Sequence, residues 1–303
     1  MSNFPFSSSE SEQQHALKSG SHDSDDQNEI SEVDHMLKLH RHLSESMGGI
    51  LPVALDLSKV KRVLDVECGA GGWVYDLAWR YPSLHVTGTD SRPELVKEAQ
   101  ALAERAGNAT VFEQEIHSLS EQVVPLESFD MVHARCLVSR LSPQEYPSVL
   151  ASLVRRCRSD GLFVWEEAEF PLTNSTACEQ LYQLIQAAMQ AAGRTFTPGH
   201  ALGITAMMSK WLKEAGCQVT LDDAYAIDLS AGMSGHSALL HQTYLMSKQL
   251  RPFLLEKGDT TGTELEALYA RLRQEMAAAG FRGVAYVRTL VGMAQEGKDL
   301  MRS

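Results

Sequence analysis

The stretch RVLDVECGAGGW, residues 62–73, constrains the fold of this chain more than any other segment. An apolar run of strand length leads directly into Gly69, Gly71 and Gly72, and a helical pattern resumes over about 72–80. A glycine turn between strand and helix lets a ligand approach the backbone closely, and the helix start offers unpaired N–H groups. The chain then repeats the alternation. HVTGTD (85–90) precedes SRPELVKEAQALAERAG, where Ser91 and Glu94 fit a capping box and Gly107 a stop. TVFEQE (110–115), FDMVHAR (129–135), a helix over about 143–157 and GLFVWEEAE (161–169) continue it. Such βαβ succession predicts an α/β fold, a Rossmann-like doubly wound sheet that is mostly parallel and covered by helices.

Flanking segments differ in character. Residues 1–30 are rich in Ser, Gln, Asp and Glu and too poor in apolar residues to offset ordering entropy, so they predict a disordered tail. Residues 31–60 predict an N-terminal cap helix, with Val33, Met36, Leu37, Leu39, Leu43 and Met47 at helical spacing and a Gly48-Gly49 stop. The main domain takes 61–303. Helices over about 175–192 and 204–215 lead to a strand at 217–229, and a closing strand begins at Gly283. Between them, an insertion at about 230–282 reads as two helices, 234–255 and 263–279, large enough to cap a site. Met207, Met208, Trp211, Met233, Tyr244, Met246 and Phe253 give this third of the chain adaptable apolar side chains suited to a bulky lipophilic ligand.

Composition removes several functions. The net charge is −12 with no block of Lys and Arg, which disfavours nucleic acid and anionic membrane surfaces as partners. The five cysteines form no CxxC pair, no basic-then-apolar leader opens the chain, and no apolar run is long enough to cross a bilayer. These features predict a cytoplasmic protein. His35, His40 and His42 are spaced by five and two and do not share one helical face, so no metal site is expected.

The glycine turn is not a dinucleotide fingerprint, because Val74 stands where the third glycine belongs, and no Gly-Lys-Ser/Thr follows for a phosphate loop. Three consecutive strands instead end near acids: Asp65, Asp90 and Glu115. Along the carboxyl edge of a sheet these suit a ligand with an ammonium group, a ribose and an adenine. The segments VLDVECGAGGW, VTGTD, VFEQE, FDMVHAR and SDGLFVWEE resemble successive motifs of the class I S-adenosylmethionine-dependent methyltransferases, over residues 33–229. Within that family the chain is most similar to small-molecule methyltransferases of secondary metabolism. The resemblance implies an antiparallel last strand, a helical lid, and S-adenosylmethionine as cofactor. It implies that Asp65, Gly69 and Gly71 line the methionine part, Asp90 and Ser91 the ribose, and Glu115 and Ile116 the adenine. Ala134 and Arg135 would lie under the cofactor, with the segment Met47 to Gly49 closing over it.

Glu67 departs from the family, which usually has glycine there. Its charge would meet either the cofactor's carboxylate or its ammonium group. Methyl transfer from a sulfonium chiefly requires in-line placement of nucleophile and methyl, with a base optional. His133 and Glu167, near the carboxyl ends of their strands, are the candidate catalytic residues. The expected partner is a small-molecule acceptor, with transfer to O, N or C open and a homodimer possible. A non-methylating cofactor binder is the alternative function.

Overall fold

The structure, a computed structural model, describes residues 31–52, 54–199 and 201–295, so the predicted tail at 1–30 lies outside the described residues. Helix α1 (Glu32–Ser46) begins at Ser31, whose hydroxyl accepts from the Asp34 N–H at 3.1 Å, with Glu32 and Asp34 complementing the helix dipole. It ends at the expected Gly48-Gly49 stop, and the rest of the 31–60 segment runs on outside the helix. Gly48 takes a left-handed φ of 82° and the Gly49 N–H turns back to the Ser44 carbonyl, which ends the helix.

The chain continues through β1 (Arg62–Val66), α2 (Gly72–Arg80), β2 (His85–Asp90), α3 (Pro93–Ala106), β3 (Ala109–Glu113) and β4 (Phe129–Arg135). Next come α4 (Tyr146–Val154), β5 (Cys157–Ala168), the short β6 (Leu172–Thr173), α5 (Thr176–Ala191) and α6 (Ile204–Glu214). Strand β7 (Cys217–Asp228), helices α7 (His236–Lys257) and α8 (Gly262–Ala277), and β8 (Gly283–Ala294) complete it. The sheet runs β3-β2-β1-β4-β5-β8-β6, and β7 pairs with β8. Strands β1 to β5 are parallel, and β8 is antiparallel to β5, β6 and β7. The mostly parallel, doubly wound architecture and the antiparallel last strand are therefore both present.

Two apolar layers hold the sheet. Trp73, Val74, Leu77 and Ala99 from α2 and α3 pack with Val63, Met131 and Val164 on one side. Leu64, Val132, Phe163 and Trp165 face α4 to α8 on the other. Each large apolar side chain so buried contributes about 1.5–3 kcal/mol. The two helices between β7 and β8 form where the sequence places them, and α8 opens on a full capping box made by Thr261 and Glu264.

Three local expectations fail. Strand β3 ends at Glu113, so Glu115 lies past it, immediately before a short turn of helix at Ile116–Ser118. Helix α4 is confined to 146–154 because the chain already pairs as β5 from Cys157, with Asp160 at a φ of 60°. Helix α3 is capped by Arg92 rather than Ser91, and no side chain closes it.

Candidate functional site

Side-chain alternation along β1, β4 and β5 creates a polar row beside the glycine turn. Asp65 pairs in register with His133, and Arg135 with Glu166, so the parallel ladder sets these four side chains on one face. His133 Nδ1 lies 2.7 Å from Asp65 Oδ1, and its Nε2 lies 3.7 Å from Glu166 Oε2. The ring stacks on Trp73, with centroids 3.9 Å apart and planes within 4°. Burial alone would lower the His133 pKa, but the flanking carboxylates of Asp65 and Glu166 outweigh it and raise it. Glu166 is raised by burial and lowered further still by the imidazole, ending below the usual carboxylate range. Arg135 Nη1 stands 3.9 Å from Glu166, while its Nη2 donates to His40 Nδ1 at 3.0 Å. His40 Nε2 in turn donates to Asp76 at 3.1 Å. A row of charged and polar groups thus runs from the acid of β1 to the cap helix, with His133 Nε2, Glu166 Oε2 and Arg135 Nη1 held at ion-pair distance and without a hydrogen-bond partner among the described residues.

The turn itself is crossed by a second set of charges. Glu67 adopts a left-handed φ of 53° and places its carboxylate 2.9 Å from Arg140 Nε. Burial, joined by the like charge of Asp90, pushes its pKa up to about 7 against the pull of Arg140. Arg140 also donates to Ser91 Oγ. Asp90 is fully buried: it accepts from Gly69 N–H at 2.8 Å, Arg92 N–H at 3.0 Å and Arg92 Nε at 3.1 Å. Met36 from α1 covers Gly69 so closely that a Cβ there would lie 2.4 Å from its terminal carbon.

Around these groups lies a cavity of about 150 Å³, whose walls include Asp65, Glu67, Gly69, His133 and Arg135. Five sequence candidates therefore meet at one place. Asp90 and Ser91 stand behind it, screened by Arg92 and Arg140. Gly71 serves packing, since a Cβ there would come within 2.7 Å of Ala99. Ala134 and Ile116 are core residues, and Glu115 is exposed. Glu167 is turned to the opposite face, where it accepts from Trp165 Nε1 at 3.0 Å and Tyr146 OH at 3.1 Å, and burial pushes its pKa up to about 8. It lines neither this cavity nor the larger one below it. Both ring nitrogens of His133 face carboxylates, which suits charge balance better than proton abstraction. Sequence reasoning missed Glu166, His40, Arg92 and Arg140. Alternation put Glu166 and Glu167 on opposite faces, and the register that pairs Glu166 with Arg135 decides which of them reaches the site.

A second cavity, about 270 Å³, adjoins the first. Both touch Leu39, Leu43, Cys136 and Ser139. Its body is apolar and lies between the sheet and helices α5 and α7, with Ile185, Met189, Met246, Leu250, Phe253 and Val287 on its walls. Of the apolar residues singled out in the sequence, Met246 and Phe253 reach it. Met208 and Trp211 are buried core, Trp211 stacking on Tyr146, and Met233 is exposed.

The fold and the polar cavity define an α/β protein with a charged recess at the carboxyl edge of a parallel sheet. Residues 63–161 match the family described as a methyltransferase domain. Over 253 residues the chain is 26% identical to a trans-aconitate 2-methyltransferase of Shigella flexneri, spanning 81% of this chain and 88% of that one. It is 27% identical over 231 residues to the protein of that name from Methylobacterium nodulans, covering 74% and 80%. Among solved structures, mycolic acid cyclopropane synthase CmaA1, complexed with SAH and CTAB, aligns at 14% identity over 85% of this chain and 83% of that one, with a TM-score of 0.49. The matched domain and the relatives together indicate a class I S-adenosylmethionine-dependent methyltransferase. Its cofactor is S-adenosylmethionine.

Proposed function

We propose that the chain methylates a small, lipophilic organic molecule seated in the apolar cavity. The observation that carries this reading is the shared wall of the two cavities: a polar recess, where Asp65 and Glu67 stand among Arg92, Arg135 and Arg140 and can meet both ends of the cofactor's amino-acid part, opens beside a chamber suited to an apolar body. The cofactor supplies a methyl group already activated on a sulfonium. Asp65 holds its ammonium group, and Asp90 meets its ribose once Arg92 turns away. At the junction, burial pushes the Cys136 thiol up to about 12, and Ser139 donates its hydroxyl to the Cys136 carbonyl at 3.0 Å. Neither takes a proton there, so the acceptor atom arrives with a free lone pair, as a carboxylate, phenolate or unprotonated amine does. Positioning is then the main contribution of the protein.

The curated relatives are named for trans-aconitate, a tricarboxylate. The walls of this chamber carry Arg194 and His42 as their basic side chains among the described residues, too few for three carboxylates and consistent with a lipophilic acceptor. The test is transfer of a radiolabelled methyl group to a panel of apolar acids, phenols and amines, with trans-aconitate beside them. Ala285→Phe, which fills the chamber from β8, is expected to abolish turnover of the best acceptor and leave affinity for S-adenosylhomocysteine unchanged. Turnover confined to trans-aconitate, or untouched by that substitution, defeats the proposal.

A further inference from the structure

A third recess, about 200 Å³, lies between α1 and the start of α7. Lys38 and Arg41 stand on exposed positions of α1 at its edge, and His35, His42 and His241 form its floor, with Glu45 the one carboxylate. In a chain of net charge −12 this reverses the local sign. Neither Lys38 nor Arg41 makes an ion pair among the described residues. His241 Nε2 is buried there without a hydrogen-bond partner among the described residues. His35 and His42 are held below the ordinary imidazole pKa, first by burial, so they add polarity rather than charge at neutral pH. Ser234 and Ser237 bring hydroxyls to the rim, and α7 opens with no side-chain cap and no acid in its first turn.

The recess borders the apolar chamber, and His42 and Ala238 form part of both walls. An anion between α1 and α7 and an apolar body in the chamber are close enough to belong to one molecule that passes beside the His42 ring. We propose that this recess holds an anionic group, a carboxylate or a phosphate monoester, of an amphiphilic acceptor at a point away from the methylated atom. The inference rests on the chamber being the acceptor site. Lys38 and Arg41 supply the two positive charges, offset in part by Glu45, and the serine hydroxyls supply donors. It separates this chain from an enzyme for neutral lipophiles.

Calorimetric titration of the full chain below the micelle threshold tests the idea with decan-1-ol, decanoate, decyl phosphate and decyltrimethylammonium. Decanoate is expected to bind on the order of tenfold more tightly than decan-1-ol, the scale of two partly exposed charge contacts, and decyltrimethylammonium more weakly than either. Decyl phosphate binding tighter than decanoate identifies a phosphate head, and the reverse order a carboxylate. The double variant Lys38→Glu/Arg41→Glu is expected to erase the preference while leaving affinity for decan-1-ol and for S-adenosylhomocysteine unchanged. Equal affinity for acid and alcohol in the native chain, or a preference that survives in the double variant, overturns the proposal. Binding of decanoate that depends on Lys38 and Arg41, with none of decan-1-ol, keeps the anion recess and removes the chamber reading. No binding by any amphiphile removes both.

Discussion

At the scale of single residues, Glu67 and Glu167 carry the chemistry most open to measurement. A left-handed backbone costs a non-glycine residue about 1–2 kcal/mol, and Glu67 bears that cost at a φ of 53° with Asp90 nearby. Glu67→Gly removes the strain, which raises stability, and takes a carboxylate out of the recess where the ligand's own carboxylate would lie, so affinity for S-adenosylhomocysteine should rise by roughly fivefold to tenfold, as read by calorimetry. Unchanged or weaker binding would show that the contact with Arg140 organises the site instead. Glu67 and Glu167 both have folded pKa values raised above the ordinary 4.5, to about 7 and about 8. Below 4.5 both states hold the proton and neither group disturbs the fold. Between 4.5 and about 8 the unfolded chain ionises first, so stability falls as pH rises. Glu167→Gln keeps an oxygen to accept from Trp165 and Tyr146 and cannot ionise. Its urea midpoint should therefore exceed that of the native chain at pH 8 and match it near pH 5, with kcat altered by less than about twofold. A large fall in kcat would restore Glu167 as a catalytic residue.

At the scale of elements, α1 is tied to the sheet by His40 and to the late insertion by a close helix crossing. A Cβ on Gly235 would lie 2.0 Å from His42 Nε2, so the start of α7 reaches α1 only because that residue is glycine. His40 joins Arg135 to Asp76, and burial holds its pKa down despite Asp76, so it remains the neutral acceptor that Arg135 requires. His40→Ala deletes two hydrogen bonds and leaves Arg135 with one fewer partner, at a cost of about 1–3 kcal/mol. Hydrogen exchange should then quicken along α1 while the amides of β1 and β4 keep their protection. Uniform acceleration across the sheet would mean that the cap and the domain unfold as one unit.

At the scale of the whole molecule, one helix borders three recesses: one of mixed charge toward the glycine turn, one apolar beneath, and one basic toward α7. That arrangement joins the cofactor site to an acceptor chamber, which is why the chamber-filling Ala285→Phe should separate turnover from cofactor affinity. The alternation of strands and helices was legible in the sequence because hydrophobic periodicity and glycine stops are local, and so were the positions of α7 and α8. Asp65 and Gly69 were found because they close the first strand and open its glycine turn, and Arg135 because of the resemblance to the family; the strand order then brings the ends of β1 and β4 side by side. The sequence could not show that Arg140 occupies Ser91 and Glu67, since those partners are separated along the chain and meet only in the fold, whereas Arg92 folds back on Asp90 two residues before it. Nor could it distinguish Glu166 from Glu167 without the register that assigns each a face. Local pattern determined the α/β class and the acids Asp65 and Asp90 of β1 and β2. Tertiary packing alone decided which charges pair, which carboxylate keeps its proton, and where an apolar chamber opens, because burial and long-range contact set those energies.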